Sequence, residues 1–165
     1  MIFNIIDSPC GPLTAVSDGE ALCRLSFGAV SEDAARGRDK VIEELERQLA
    51  EYFAGERKTF ELPVKLYGSV FEQCVWAGLG SIPYGKTVTY GELAAAVGKP
   101  SAARAAGGAC GRNPVSIVVP CHRVVGAGRG GSRQGTAPWR ERMTGFGGGL
   151  ANKALLLELE ERHNA

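Results

Sequence analysis

Hydrophobic residues change their spacing near residue 60, and that break decides the architecture. Before it, residues 1–7, 11–17 and 21–27 are short apolar segments, separated by Ser-Pro-Cys-Gly-Pro at 8–12 and Asp-Gly at 18–19. Such runs, punctuated by turn formers, read as β-strands. Val41, Ile42, Leu45, Leu49, Tyr52 and Phe53 then recur at helical spacing, with Gly55 as a stop. Residues 62–68 read as a linker. Beyond it, Val70, Phe71, Cys74, Val75 and Leu79 form one apolar helical face that ends at Ile82-Pro-Tyr-Gly85. Residues 87–98 and 102–111 read as two helices joined by a tight turn, with Ser101 as N-cap and Gly98 and Gly111 as helix ends. Residues 150–161 read as an amphipathic closing helix. The expected fold is α/β in the α+β sense. A small N-terminal β-sheet plus helix domain covers 1–64, and a mainly helical C-terminal domain with a helix-turn-helix covers 65–165.

At 165 residues, with 44% hydrophobic and 22% charged content, the chain has enough apolar material for a real core. The net charge of +1 hides an asymmetry: residues 1–68 carry twelve acidic and eight basic side chains, and the remainder carries eleven basic and six acidic ones. Between 99 and 142 stand Lys99, Arg104, Arg112, Arg123, Arg129, Arg133, Arg140 and Arg142, opposed only by Glu141. A basic stripe of this kind suggests a polyanion, above all nucleic acid, as partner; a solvated surface without a partner is the plain alternative. The second helix of the pair is almost entirely Ala and Gly around Arg104, so another backbone can approach it closely. A minor groove or a neighbouring helix would fit there, and the single long cation favours the nucleic acid.

Five cysteines (Cys10, Cys23, Cys74, Cys110, Cys121), an odd number without a Cys-x-x-Cys pair, read as free thiols. Cys10, Cys23, Cys74 and Cys110 are expected to be small buried hydrophobes. With no signal-like start at Met1-Ile-Phe-Asn and no apolar run of membrane-spanning length, a cytoplasmic protein with no membrane partner is expected. No metal site is expected either, since residues 1–68 hold no histidine beside Cys10 and Cys23. Gly126-Ala-Gly-Arg-Gly-Gly131 has dinucleotide-fingerprint spacing, but no helix pattern follows it, so it reads as a loop.

The chemistry concentrates at Asn113-Pro-Val-Ser-Ile-Val-Val-Pro-Cys121-His122-Arg123. Residues 116–119 have strand composition, bracketed by Pro114 and Pro120. They deliver Cys121 to a corner beside an imidazole and a guanidinium, groups that favour thiolate when close and charged. Neighbours on an extended strand face opposite ways, so Cys121 and His122 can cooperate only if the backbone bends or a water bridges them.

Taken together, the motifs Val75-Trp76, Ile82-Pro-Tyr-Gly, Thr89-Tyr90-Gly-Glu-Leu-Ala, Ala102-Ala-Arg104-Ala, Asn113-Pro, Pro120-Cys-His-Arg-Val-Val and Gly148-Gly-Leu-Ala-Asn-Lys resemble the O6-alkylguanine-DNA alkyltransferases. The resemblance implies a DNA repair protein that moves an alkyl group from guanine O6, with thymine O4 as a second candidate, irreversibly onto its own Cys121. It implies that His122 takes the thiol proton through a water, that Glu160 orients His122, and that Asn113 ties the turn. Tyr90 would donate to the departing guanine. Arg104 would fill the vacated stack, with Ser101, Ala102, Ala103, Arg112 and Arg123 as further DNA contacts. Val124, Tyr90, Phe146 and Gly147 would line the base pocket, the carbonyls of Cys121 and Val124 reading the guanine amino group. The partner is double-stranded DNA bearing alkylated guanine, the protein is expected to be monomeric, and no cofactor is implied. A base inside a duplex cannot reach a buried thiol, so the nucleotide must be extruded.

Two departures from the family pattern stand out. Residues 126–146 are longer than the family loop by about a dozen residues, a length that usually signals function or disorder. Gly147 and Phe146 stand where the family commonly has a serine and a tyrosine. A non-catalytic lesion-binding relative, or one whose inserted loop alters the substrate, is the alternative. The former class lacks the acceptor cysteine that is present here.

Overall fold

The computed structural model describes residues 1–127 and 139–164. Arg129, Arg133 and the middle of the 126–146 loop, with residues 128–131 of the glycine-rich motif, lie outside the described residues. The chain divides into two compact units, one of residues 1–66 with 114–118, the other of 67–113 with 119–165. Residues 114–118, expected inside a continuous 65–165 domain, thus belong with the first unit.

The first unit is built on a sheet of order β3-β2-β1-β4. Strands β1 (Ile2–Ile6), β2 (Leu13–Ser17) and β3 (Leu22–Phe27) form an antiparallel meander, and the short β4 (Ala35–Arg36) runs parallel to β1. Helix α1 (Lys40–Phe53) starts where Asp39 Oδ1 accepts from Ile42 N at 2.9 Å, a cap that contributes about 1 kcal/mol. Val41, Ile42, Leu45, Leu49 and Tyr52 are buried along its apolar stripe. Residues 63–65 are no free linker: Leu22 N donates to Pro63 O and Lys65 N to Leu22 O, so they pair beside β3.

Residues 116–119 do not form the expected strand. Pairing stops at the isolated bridge between Leu25 and Val115, and Ile117 adopts φ 70°. A β-branched side chain in that left-handed region costs on the order of 1–3 kcal/mol. Beyond that bridge the chain turns on itself, Val118 N donating to Ser116 O at 2.8 Å, and Pro120 closes the segment without an N–H to offer a ladder.

In the second unit, α2 (Val70–Gly80) opens with a capping box between Ser69 and Glu72. The helix-turn-helix consists of α3 (Tyr90–Ala96) and α4 (Ala103–Gly111), with Gly98 at φ 79° in the connection. Ser101 does not cap α4; Ala102 holds the N-cap position and no side chain caps it. Small residues make this packing possible: a β-carbon on Gly78 would lie 2.9 Å from Val97 Cγ1. Ala106, Ala109 and Cys110 are buried, and Trp76 reaches across to donate to Ala109 O at 2.9 Å. The two-residue strands β5 (Val88–Thr89) and β6 (Val124–Val125) pair in parallel. Helix α5 (Leu150–Arg162) follows. Among the described residues no helix is long and apolar enough to cross a membrane.

Candidate active site

The backbone bends where cooperation between Cys121 and His122 requires it. Residues 121–123 form a single 3₁₀ turn, closed by Arg123 N donating to Pro120 O at 3.1 Å. Asn113 braces the approach, its Nδ2 donating to Val119 O at 2.8 Å. The pairing of β5 with β6 then places Thr89 beside Val125. Because Thr89 is also the N-cap of α3, Tyr90 becomes the first residue of that helix and faces the same pocket as Cys121. That pocket has a volume of about 410 Å³, in the range of small-molecule sites. Cys121 and Cys110 line one part, Tyr90 and Gly107 another, and residues 144–147 a third.

Behind the sulfur lies a fully buried polar cluster. His122 Nε2 meets Glu160 Oε2 at 2.5 Å, and Arg123 Nε donates to Glu160 Oε1 at 2.7 Å. Gly85, at φ 75°, turns its N–H onto the same carboxylate oxygen at 3.2 Å, and Arg123 Nη1 donates to Ile82 O at 2.7 Å. The Ile-Pro-Tyr-Gly motif therefore serves the Arg123–Glu160 pair. Burial pushes the Glu160 carboxyl up, but His122 and Arg123 outweigh it and hold the group at about 2. Burial pushes His122 below its ordinary value, against the opposing pull of Glu160. An ionised Glu160 and a neutral imidazole assign the ring proton to Nε2, which donates to the carboxylate. Nδ1, buried and without a partner among the described residues, is left with a free lone pair.

This changes the electrostatics expected of the corner. His122 is neutral and Arg123 is committed to Glu160, so neither stabilises a standing thiolate. Burial pushes the Cys121 thiol up, with the Asn113 side chain, the charge of Lys153 and the His122 backbone N–H opposing it. The resting group is a thiol that needs a base. Cys110, in the same pocket, is pushed by burial to about 12 and is no competitor as a nucleophile.

Among the residues expected at DNA, Arg123 is placed otherwise: it is 7% exposed and stacks 5.7 Å from the Tyr84 ring centroid. Arg142, expected in the basic stripe, is buried as well. Arg104 is exposed and makes no hydrogen bond or ion pair among the described residues. It borders a shallow depression with Ser101, Ala102 and Arg112, beside the half-buried Ala103. Arg112 is tied to Glu72. Phe146 and Gly147 line the pocket, whereas Val124 is buried behind it. The carbonyls expected to read a base already accept, Cys121 O from Val124 N and Val124 O from Lys153 Nζ at 2.6 Å. Each keeps a second lone pair. Cys74, expected to be buried, is exposed.

Sequence reasoning missed Lys153. It is 1% exposed and its Nζ bridges Val124 O and Thr144 O. Its signal was legible: Leu156, Leu157 and Glu160 lie at i+3, i+4 and i+7 from Lys153, so both charges sit on the buried stripe of α5.

Residues 1–66 match the 6-O-methylguanine DNA methyltransferase ribonuclease-like domain, and residues 70–162 match the DNA-binding domain of the same name. A methylated-DNA–protein-cysteine methyltransferase of Mycolicibacterium paratuberculosis is 40% identical over 166 residues, covering 98% of this chain and 93% of that protein. One from Methanosarcina acetivorans is 39% identical, covering 97% and 98% respectively. The crystal structure of Mycobacterium tuberculosis OGT in complex with DNA superposes with a TM-score of 0.85 at 41% identity, covering 99% of this chain and 94% of that one. On sequence over nearly its whole length and on fold, the chain belongs to the methylated-DNA–protein-cysteine methyltransferase family.

Proposed function

We propose that this chain repairs DNA by taking an alkyl group from O6 of guanine onto Cys121, once per molecule. The observation that carries this reading is the set Cys121, His122 and Glu160: a thiol on a pocket wall, followed in the same turn by a neutral imidazole whose far nitrogen is fixed on a carboxylate. His122 Nδ1 accepts the thiol proton through a bridging water, and the sulfur attacks the alkyl carbon. The S–C bond forms as the C–O bond breaks, and the guanine leaves as an anion that Tyr90 hydrogen-bonds until solvent protonates it. The thioether has no exit, so one event ends the molecule's working life. Arg104, exposed at the start of α4, fills the stack that the flipped nucleotide leaves. Cysteines that form no disulfide among the described residues suit a reducing compartment, and we place the protein in the cytoplasm, acting as a monomer.

Intact-protein mass spectrometry after incubation with an O6-methylguanine duplex tests the function. One methyl per chain, located on Cys121 and missing from Cys121→Ser, is expected. A protein that binds the duplex yet stays unmodified would favour the lesion-binding alternative.

Arg104→Ala should slow repair of duplex substrate about tenfold or more, since unstacking a base costs a few kcal/mol. Labelling of Cys121 by iodoacetamide should stay unchanged. Loss of that labelling would contradict a role confined to DNA. Binding of the duplex should also weaken steeply with salt.

A further inference from the structure

Gly147 offers no side chain to the pocket and Phe146 no hydroxyl, so among the described pocket-lining side chains only Tyr90 and Thr144 carry an O–H. The two lie together: Thr144 Oγ1 donates to Tyr90 Oη at 3.3 Å. We propose that Thr144 is a positioning residue for alkyl transfer, its hydroxyl occupying the Tyr90 oxygen as donor and so turning the phenol O–H toward the leaving base. This role rests on the alkyltransferase reading and adds a residue to it.

Two contacts of its own and one made two residues earlier hold Thr144 although its surface is exposed. Its carbonyl accepts from the buried Lys153 Nζ at 3.2 Å. Its methyl lies against Gly126, where an added β-carbon would come within 2.9 Å of Thr144 Cγ2. The backbone just before it is pinned by Gly126 N donating to Arg142 O at 2.8 Å. A residue at a pocket rim held on backbone, methyl and hydroxyl is built to keep one rotamer. On the other side, the Tyr90 ring lies along Gly107, its Cδ1 at van der Waals distance (3.5 Å) from where a β-carbon there would stand.

The direction of the hydrogen bond carries the consequence. A phenol has one O–H and accepts through its lone pairs. When Thr144 donates, the Tyr90 proton stays free for the substrate, and the bond polarises it. Burial pushes the Tyr90 phenol up and the Thr144 bond opposes that rise. Charge develops on guanine O6 and its ring as the C–O bond breaks, so a better donor lowers the barrier more than it tightens DNA binding.

The test is the single-turnover rate of methyl transfer at saturating O6-methylguanine duplex, followed by the mass of Cys121. Thr144→Val, which keeps shape and deletes the hydroxyl, should slow the step about tenfold, the worth of one hydrogen bond, with duplex affinity unchanged. Thr144→Ser should restore most of the rate. In a Tyr90→Phe background the Val substitution should do nothing more, because its effect runs through the phenol. A Thr144→Val rate equal to wild type, or an equal loss on top of Tyr90→Phe, overturns the role while leaving the alkyltransferase reading intact. Failure of the wild-type chain to take any methyl overturns that reading and this role with it.

Discussion

His122→Gln should slow methyl transfer by about 10²–10⁴-fold, the usual worth of a positioned base, and should change the shape of the pH profile. On the proposed mechanism the reacting pair in the wild-type protein is a thiol and a neutral imidazole. Burial sets the imidazole below its ordinary 6.5 and the thiol above its ordinary 9.0. Between those values the protonation states do not change, so the single-turnover rate at saturating duplex should be level from about pH 6.5 to 9. It should fall only where acid finally charges His122. Without the imidazole, thiolate must come from bulk ionisation, and the residual rate should climb about tenfold per pH unit up to the thiol's raised value. Glutamine still offers an N–H to Glu160, which limits the structural damage. A level profile in His122→Gln would mean that the base is another group, and an unchanged rate would remove His122 from the chemistry.

That expectation depends on a feature hidden from the sequence. Cys-His-Arg reads as a thiol beside two cations, a recipe for a standing thiolate. The structure makes His122 neutral and assigns Arg123 to Glu160, so activation must occur during the reaction. What decides the difference is residue 160, 37 and 38 positions away from the pair it contacts. Helical spacing puts that glutamate on the buried stripe of α5 but does not name its partners; the resemblance to a family supplied them. The same distance explains Arg123. As a cation in a basic stretch it looked like a phosphate contact, but its charge is neutralised by a partner on another element.

The strands and helices were far more legible because their signals are local. Hydrophobic period, caps and turn residues placed β1 to β3, α1, α2 and the helix pair. The errors fall where tertiary pairing overrides composition. Ser-Ile-Val-Val at 116–119 has strand residues but loses its ladder after Val115, and Ile117 takes a left-handed backbone instead. Residues 63–65 looked like a linker, with a proline among them, yet pair beside β3. Ser101 has the right chemistry for a cap but stands one residue before the capping position. For residues 63–65 and 114–116 the deciding partner lies on β3, remote in sequence.

On the same mechanism Glu160 serves both stability and chemistry, so Glu160→Ala should damage both. Removing the carboxylate strands the Arg123 guanidinium, 7% exposed, with Ile82 O as its remaining acceptor among the described residues. Breaking a buried pair from one side costs about 3–5 kcal/mol, to be read from denaturant unfolding. The sign with pH follows from the depressed carboxyl. Glu160 contributes its stability above its ordinary 4.5, and that contribution is lost as pH falls toward about 2. Acid unfolding should therefore lose this part of its pH dependence in the variant. A double variant, Glu160→Leu with Arg123→Met, removes both charges and should recover much of the stability, since two apolar side chains leave no uncompensated ion. Methyl transfer should not recover with it. His122 would then have no anion at Nε2 to hold its tautomer or to stabilise the imidazolium formed when Nδ1 takes the thiol proton. A double variant both stable and fully active would reduce Glu160 to a structural counter-ion. One that is stable but slow would separate the two duties that a single carboxylate performs here.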